Sequence, residues 1–485
     1  MPFPLSDMAV VAPELFLTLA ALALLVGAAW TPREREGTLA TLSVAALAVT
    51  GALLPLAASW AGSMPREAFG GMFVLDPFAL YFKGLVLAAT AVTVLFSLRF
   101  VGDSPYPGGE YYALLLFSAV GMLFMASGSN LASIWVALEL MALSQYVLAG
   151  WFKREARSVE AAAKYFVLGA FSSGVLLYGL SLVYGATGTL DLAAIAKVAR
   201  APAAGPAGAF LPLGMVLLLC GFLFKIASAP FHVWAPDVYE GAPTPISAFF
   251  AVAPKVAAYA IFARVFLTAF APSAAEWSLV VAASAALTMV VGNVGALMQK
   301  NVKRLLGYSS IGHAGYALLG FLGYGNEFGQ SSILVYLAAY ALMTTGAFGL
   351  VVLLEAKGYA CESVDDFNGL SRKNPLAAAA MLVFLLSLAG IPPTAGFVGK
   401  YLLFSAAMKA GWAWLALLGV LMSVVSLYFY FRIARAMYLV DGEGELGWSE
   451  QPAVAVIVVL CAVGTLLVGI LPQPLLALAK ACVLN

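Results

Sequence analysis

Residues 221–245 read GFLFKIASAPFHVWAPDVYEGAPTP. An apolar stretch that would otherwise cross a bilayer is interrupted here by Pro230, Pro236, Pro243 and Pro245, and Lys225 stands just before the interruption. Proline removes a backbone donor and clashes with the preceding turn. In lipid the freed carbonyls must be met by protein or water. An ammonium at mid-bilayer costs roughly 2.5–3.5 kcal/mol even on lenient insertion scales. A broken membrane helix with a lysine beside it therefore points to ion or proton movement. Residues 387–404, SLAGIPPTAGFVGKYLLF, repeat the pattern, with Pro392, Pro393, Gly396 and Gly399 at the break and Lys400 beyond it. Interrupted helices at corresponding places in two halves mark inverted-repeat transporter folds. A packing kink is the alternative at each site.

The composition agrees with a membrane chain. Of 485 residues, 63% are hydrophobic and 10% charged, against about a quarter charged in soluble domains. The 25 basic and 24 acidic residues nearly cancel, so no nucleic-acid footprint exists. Cys220, Cys361, Cys461 and Cys482 stand apart, with no spacing that suits zinc or an iron–sulfur cluster. No P-loop occurs, and no cofactor is expected on this chain. The first 30 residues lack a basic leader and read as an uncleaved first helix.

Apolar runs of about 20 residues give about fourteen spans, near 8–30, 38–60, 78–100, 111–127, 129–150, 159–185, 209–229 with a continuation to 242, 244–270, 276–298, 303–323, 329–355, 376–408 with a break, 411–438 and 452–478. The expected fold is an all-α polytopic membrane protein with two discontinuous helices. The positive-inside bias sets the orientation. With the N-terminus outside, the inner loops carry Arg33, Arg35, Arg99, Lys153, Arg154, Arg157, Lys300, Lys303, Arg304, Lys357, Arg372, Lys373, Arg432 and Arg435. The outer side has Arg66, Lys83, Lys197, Arg200, Lys409 and Lys480, a balance of 14 to 6. Both termini then lie outside. The outer segment ATGTLDLAAIAKVARAPAAGPAG reads as flexible. Asp365, Asp366, Arg372, Lys373 and the segment 441–450 read as solvated faces.

The expensive residues form a series. Glu139, in SIWVALELMALSQYVLAGW, is roughly 18 Å from the inner helix end at 1.5 Å per residue, near mid-membrane. It reads as a tether between helices or as a tuner, since a nearby carboxylate raises the proton affinity of an amine. Lys164 lies about six residues into its helix and either joins the series or snorkels to the inner surface. It differs in depth from Glu139 by roughly 9 Å, so Glu139 is free to pair with Lys225 instead. Lys225 is at mid-depth with no route out, and burial makes an amine release its proton more readily. Lys255, after Pro254, is the next stop. His313, in KRLLGYSSIGHAGYALLG with Tyr308, Ser309, Ser310 and Tyr316, reads as a relay bridging the two halves or as a hydrogen-bonded core histidine. His232 fits a local hydrogen bond or an entry role equally. Lys400 is a candidate exit, although strict inverted symmetry would place it before its break.

The stretch FKIASAPFHVWAPDVYEGAPTPISAFFAVAPK, residues 224–255, resembles the subunit N family of the proton-pumping NADH:quinone oxidoreductase, respiratory complex I. ALELMALSQYVLAG, KRLLGYSSIGHAGY and IPPTAGFVGKYLLF fit the same family, over roughly residues 75–440. Sister subunits L and M, and the large subunits of cation/proton antiporters, share the layout but differ around the histidine and Tyr-Glu-Gly. Subunit M also carries a glutamate at the place of Lys400. The resemblance implies two inverted five-helix repeats, with helices at 1–110, a first repeat at 111–270, a second at 271–440 and a last helix at 441–485. It implies that Glu139 is the coupling glutamate, Lys225 the central pumping lysine, and Lys164, Lys255 and Lys400 members of the proton path. It further implies an enzyme-complex subunit without redox chemistry of its own, with NADH, flavin (FMN), iron–sulfur clusters and quinone held by partners. The implied neighbours are subunits M, K and J in a bacterial inner membrane. Redox energy from partners would shift Glu139 against Lys225 and drive a proton along Lys255 and His313 toward Lys400. A stand-alone or multisubunit cation/proton antiporter, a purely structural subunit, and a related ferredoxin- or hydrogenase-linked complex are the rivals.

Overall fold

Long runs of Leu, Val, Ala and Phe leave the backbone one way to satisfy its own hydrogen bonds in lipid, the α-helix. The computed structural model describes residues 5–32, 36–104, 106, 108–200, 206–326, 328–354, 362–442 and 451–484 and is helical nearly throughout. Arg33, Arg35, Lys357, Cys361 and residues 443–450, all used in the reading above, lie outside the described residues.

In chain order the first helices are α1 (Leu5–Val10), α2 (Ala12–Ala28), α3 (Glu36–Ala61), α4 (Pro77–Phe96), α5 (Leu98–Gly102), α6 (Gly108–Ser127), α7 (Leu131–Ala149), α8 (Ala156–Thr187), α9 (Leu192–Arg200) and α10 (Pro206–Lys225). There follow α11 (Trp234–Gly241), α12 (Thr244–Arg264), α13 (Ala274–Leu297), α14 (Val302–Leu322), α15 (Gly329–Leu354), α16 (Leu370–Lys373), α17 (Pro375–Ala389), α18 (Ala395–Lys409), α19 (Ala413–Leu439), α20 (Pro452–Ile470) and α21 (Gln473–Ala481). Among the described residues, 11 helical segments are long and apolar enough to cross a membrane. The other expected spans are α2, α14 and the interrupted pair α17 and α18. The polytopic all-α expectation therefore holds.

Local chemistry sets the helix starts. Asp76 caps α4, its Oδ1 accepting from Ala79 N–H at 2.7 Å. Asn130, Asn301 and Asn374 cap α7, α14 and α17 in the same way. The two predicted interruptions are present, α10 stopping at Lys225 and α17 at Ala389.

The chain falls into two compact units. Unit 1 comprises Met1–Ile226, Ala253–Trp277 and Cys482–Asn485. Within it α6 packs against α2, α4 and α7, and α8 against α10. A short antiparallel hairpin, β1 (Arg66–Ala68) and β2 (Phe73–Leu75), precedes α4; the sequence reading did not anticipate it. Asp7 of α1 holds the turn by accepting Phe69 N–H at 2.8 Å. Unit 2 comprises Ala227–Val252 and Ser278–Ala481. There α15 is buried along its length and packs against α17, α18 and α20.

Three expectations are corrected. Lys83, read as an outer-loop charge, is fully buried in α4, with Nζ 2.5 Å from Glu14 Oε1. Lys303, read as an inner-loop charge, is buried and donates to the Ala242 carbonyl at 3.0 Å. Both errors have one cause: a charge near a helix end reads as solvated unless its partner, distant in sequence, is known. The flexible outer segment is helical at α9, because Leu192, Ile195 and Ala199 share one face and are buried, packing on the turn of π-helix at Val265–Ala269.

Candidate functional site

In unit 1 the site is built on α7, α8, α10 and α12. Glu139 is half-buried on α7, and its Oε1 accepts a short hydrogen bond from Ser173 Oγ of α8. Ser173 in turn accepts from Trp135 Nε1 at 3.1 Å. Gly121 of α6 lets this part of α7 approach: a Cβ there would lie 2.7 Å from the Ala137 carbonyl oxygen and 2.6 Å from Met141 N. Ser173 was missed by sequence reasoning; its signal is the polar pair Ser172 and Ser173 inside an apolar helix.

Lys164 is only half-buried, and its ammonium pairs with Glu160 on the same helix at 2.7 Å. That is the geometry of a side chain reaching toward the surface. Lys225 is the last residue of α10, 6% exposed. Its Nζ has no hydrogen-bond partner among the described residues; it lies 5.9 Å from the Tyr146 ring centre and 5.8 Å from that of Phe224. Glu139 lies within electrostatic reach of Lys225 without a direct ion pair. Two residues on, Ala227 adopts φ +57, a strained conformation for a residue with a Cβ. Lys255 lies in the second half of α12, 2% exposed. Every residue of that helix, Thr244 to Arg264, is buried.

In unit 2 the polar side chains converge on His313. Its Nδ1 is 2.6 Å from the Tyr336 hydroxyl and its Nε2 3.3 Å from that of Tyr430. The Tyr430 hydroxyl meets Ser309 Oγ at 2.5 Å. Tyr340 donates to Ser310 Oγ at 2.8 Å, and the Tyr239 hydroxyl meets the same oxygen at 3.2 Å. The His313 and Tyr316 rings are 5.7 Å apart, and Lys400 Nζ lies 4.6 Å from the Tyr316 ring centre. Of the four residues expected around the histidine, Ser309, Ser310 and Tyr316 are there; Tyr308 instead packs against Gly295. Tyr336 and Tyr340 were missed, yet their spacing of four puts two hydroxyls on one face of an apolar helix.

The interruptions are satisfied differently. At the first, within unit 2, Ser228 Oγ meets Ser284 and Thr288 at 2.8 and 2.6 Å, Thr288 accepts Ala229 N–H at 2.9 Å, and Ser284 donates to the Ala229 carbonyl at 2.9 Å. His232 lies half-buried in this segment. On α11, Asp237 and Glu240 both bind Arg304, at 2.6 and 2.9 Å. At the second, Lys400 reaches back to the end of α17 and donates to the Leu388 and Ala389 carbonyls at 2.9 and 3.0 Å, and to Ser423 Oγ at 3.2 Å. Gly390, at φ +87, makes this fold-back: a Cβ would lie 2.8 Å from Lys400 Cδ. An ammonium thus caps the negative end of a helix.

Residues 127–426 match the family model described as NADH:quinone oxidoreductase/Mrp antiporter, TM. The chain is 45% identical over 482 residues to NADH-quinone oxidoreductase subunit N of Trichlorobacter lovleyi, covering 99% of this chain and 98% of the relative. Among solved structures it is similar to a chain of respiratory complex I from Thermus thermophilus with bound Aureothin, at 37% identity and a TM-score of 0.81, covering 96% of this chain and 99% of that one. A chain of the Mrp complex from Dietzia sp. DQ12-45-1b has the same fold, at 22% identity and a TM-score of 0.81, over 99% and 97% of the two chains.

Proposed function

This chain belongs to the NADH-quinone oxidoreductase subunit N family, and from that premise we propose that its buried bases carry the protons. It is a multi-pass, proton-translocating membrane subunit of a respiratory complex I, working beside other membrane-arm subunits. In unit 1, Lys225 and Lys255 take up and release protons, and Glu139 sets how firmly Lys225 holds its own. A carboxylate within reach favours the charged amine, and its withdrawal frees the proton. In unit 2, His313 and its tyrosine and serine hydroxyls form a relay that ends at Lys400. Hydroxyls and a neutral imidazole can each accept a proton on one side and donate one on the other, which is what a relay needs. Lys164, paired with Glu160 near the surface, is an uptake site.

The observation that carries this reading is Lys225: an enclosed amine with no hydrogen bond among the described residues, at the end of an interrupted helix, with a carboxylate in reach. Such a group is expensive to keep unless it works. Redox chemistry, with NAD, FMN, iron–sulfur clusters and quinone, is assigned to partner subunits. Both termini are placed outside a bacterial inner membrane, and subunits M, K and J are the proposed neighbours. The test is Lys225→Met in the whole complex reconstituted in vesicles, with NADH oxidation and proton uptake followed together. The expected result is an assembled complex with strongly reduced pumping. Wild-type pumping would remove Lys225 from the mechanism.

A further inference from the structure

A second buried acid–base pair lies in unit 1, on two helices that carry none of the residues assigned above. Glu14, in the first turn of α2, and Lys83, in the second turn of α4, are both wholly enclosed. They touch through a single contact, Lys83 Nζ to Glu14 Oε1 at 2.5 Å. The ammonium also sits 4.7 Å from the Phe73 ring centre in the hairpin. Glu14 Oε2 and the remaining ammonium hydrogens meet no protein hydrogen-bond partner among the described residues.

The neighbouring ion pair on the same helix shows what a structural pair looks like here. Arg264 grips Asp76 with two bonds, at 2.8 and 2.9 Å, and its Nε and Nη2 also donate to the Ala126 carbonyl at 3.1 and 2.9 Å. Asp76 also caps α4. Each nitrogen and each carboxylate oxygen of that pair is hydrogen-bonded, and it uses arginine, which stays charged. Glu14 and Lys83 are the opposite: two groups that can each change protonation, with unmet hydrogen-bonding capacity facing protein. A buried ion pair is weak evidence for stability even when well satisfied. Unmet polar atoms of this kind are where ordered water enters.

Position adds to this. Both residues lie near the helix ends beside the hairpin. α12, which carries Lys255, ends at Arg264 on Asp76, the cap of the helix that carries Lys83.

We propose that the Glu14–Lys83 pair is a proton-release site of unit 1. Glu14 Oε2 takes a proton from a hydronium in the water on the path, which leaves water, and the new O–H bond makes a carboxylic acid. On release that bond breaks, the proton passes to water on the hairpin side, and the carboxylate returns to Lys83. Lys83 stays an ammonium throughout, and no electrons move.

This inference rests on the proton-path reading above, so the experiment carries Lys225→Met as a control. In the whole complex in vesicles, Glu14→Gln, Lys83→Met and the double variant are compared for assembly and for protons moved per NADH oxidised. The single variants leave one partner buried and alone. The double variant removes both charges and keeps the shape, so a merely structural tether predicts a wild-type ratio. Release through Glu14 predicts an assembled double variant with a lowered ratio. Glu14→Asp, which keeps both charges and draws the carboxylate back by one methylene, gives the same readout if the neutral variants do not assemble. A wild-type ratio in any assembled variant that lacks the Glu14 carboxylate overturns the proposal, as does a wild-type ratio in Glu14→Asp. If Lys225→Met also pumps fully, the proton-path reading fails first; if only Lys225→Met loses pumping, this inference alone falls.

Discussion

Lys225 and Lys400 should respond to the same substitution with opposite effects on stability. Lys225→Met removes an ammonium that has no hydrogen bond to lose among the described residues. An unmet buried polar group costs about 1–3 kcal/mol, while its two ring contacts, at nearly 6 Å, return about 0.5–1 kcal/mol. Methionine fills nearly the same volume, so the variant should be as stable as wild type or more stable by about 2 kcal/mol. Lys400→Met removes three donated bonds and leaves the Leu388 and Ala389 carbonyls open at the end of α17. Two unmet carbonyls cost about 1–3 kcal/mol each, and the lost charge at a helix C-terminus about 0.3–1 kcal/mol more. The variant should therefore lose about 2–7 kcal/mol. The assay is denaturation of the solubilised complex, following retention of this chain, with pumping measured in parallel. Both variants should pump poorly; only Lys400→Met should also unfold early. Equal destabilisation of the two would refute the account of Lys225, and a fully stable Lys400→Met would refute the capping role.

Three further outcomes follow from the geometry. Gly390→Ala should cost about 1–3 kcal/mol and reduce pumping, because the added Cβ meets Lys400 at a backbone position of φ +87; wild-type behaviour in both assays would show that the fold-back is not needed. Tyr336→Phe removes the hydroxyl 2.6 Å from His313 Nδ1 and should leave an assembled, slower pump, with a stability loss of about 0.5–1.5 kcal/mol; an unchanged pumping rate would place the relay elsewhere. Arg264→Ala should strand Asp76 in the interior, cost about 3–5 kcal/mol and deplete the chain from assembled complex, seen by native electrophoresis. Arg264→Lys should recover little of this, since lysine cannot make the two-pronged contact.

The amino-acid order by itself determined the helical, polytopic character, the two interruptions and the identity of the costly residues. Each is a local property: apolar length against bilayer thickness, proline against the helix ladder, and charge against lipid. Lys225, Lys255, His313 and Lys400 are enclosed, as their place in apolar runs required. Only the tertiary structure decided the partners. Nothing in the segment around Glu139 names Ser173 on α8, nor does the second interruption announce that Lys400 folds back onto it. Lys83 and Glu14 are 69 positions apart in the sequence, and one of them reads as a loop charge until the other is found beside it. Tyr239, Tyr336 and Tyr430 meet the His313 cluster from three different helices. A hydrogen bond or ion pair depends on a few ångströms between side chains, and helix packing, which sets those ångströms, is a property of facing surfaces that no single stretch of chain contains.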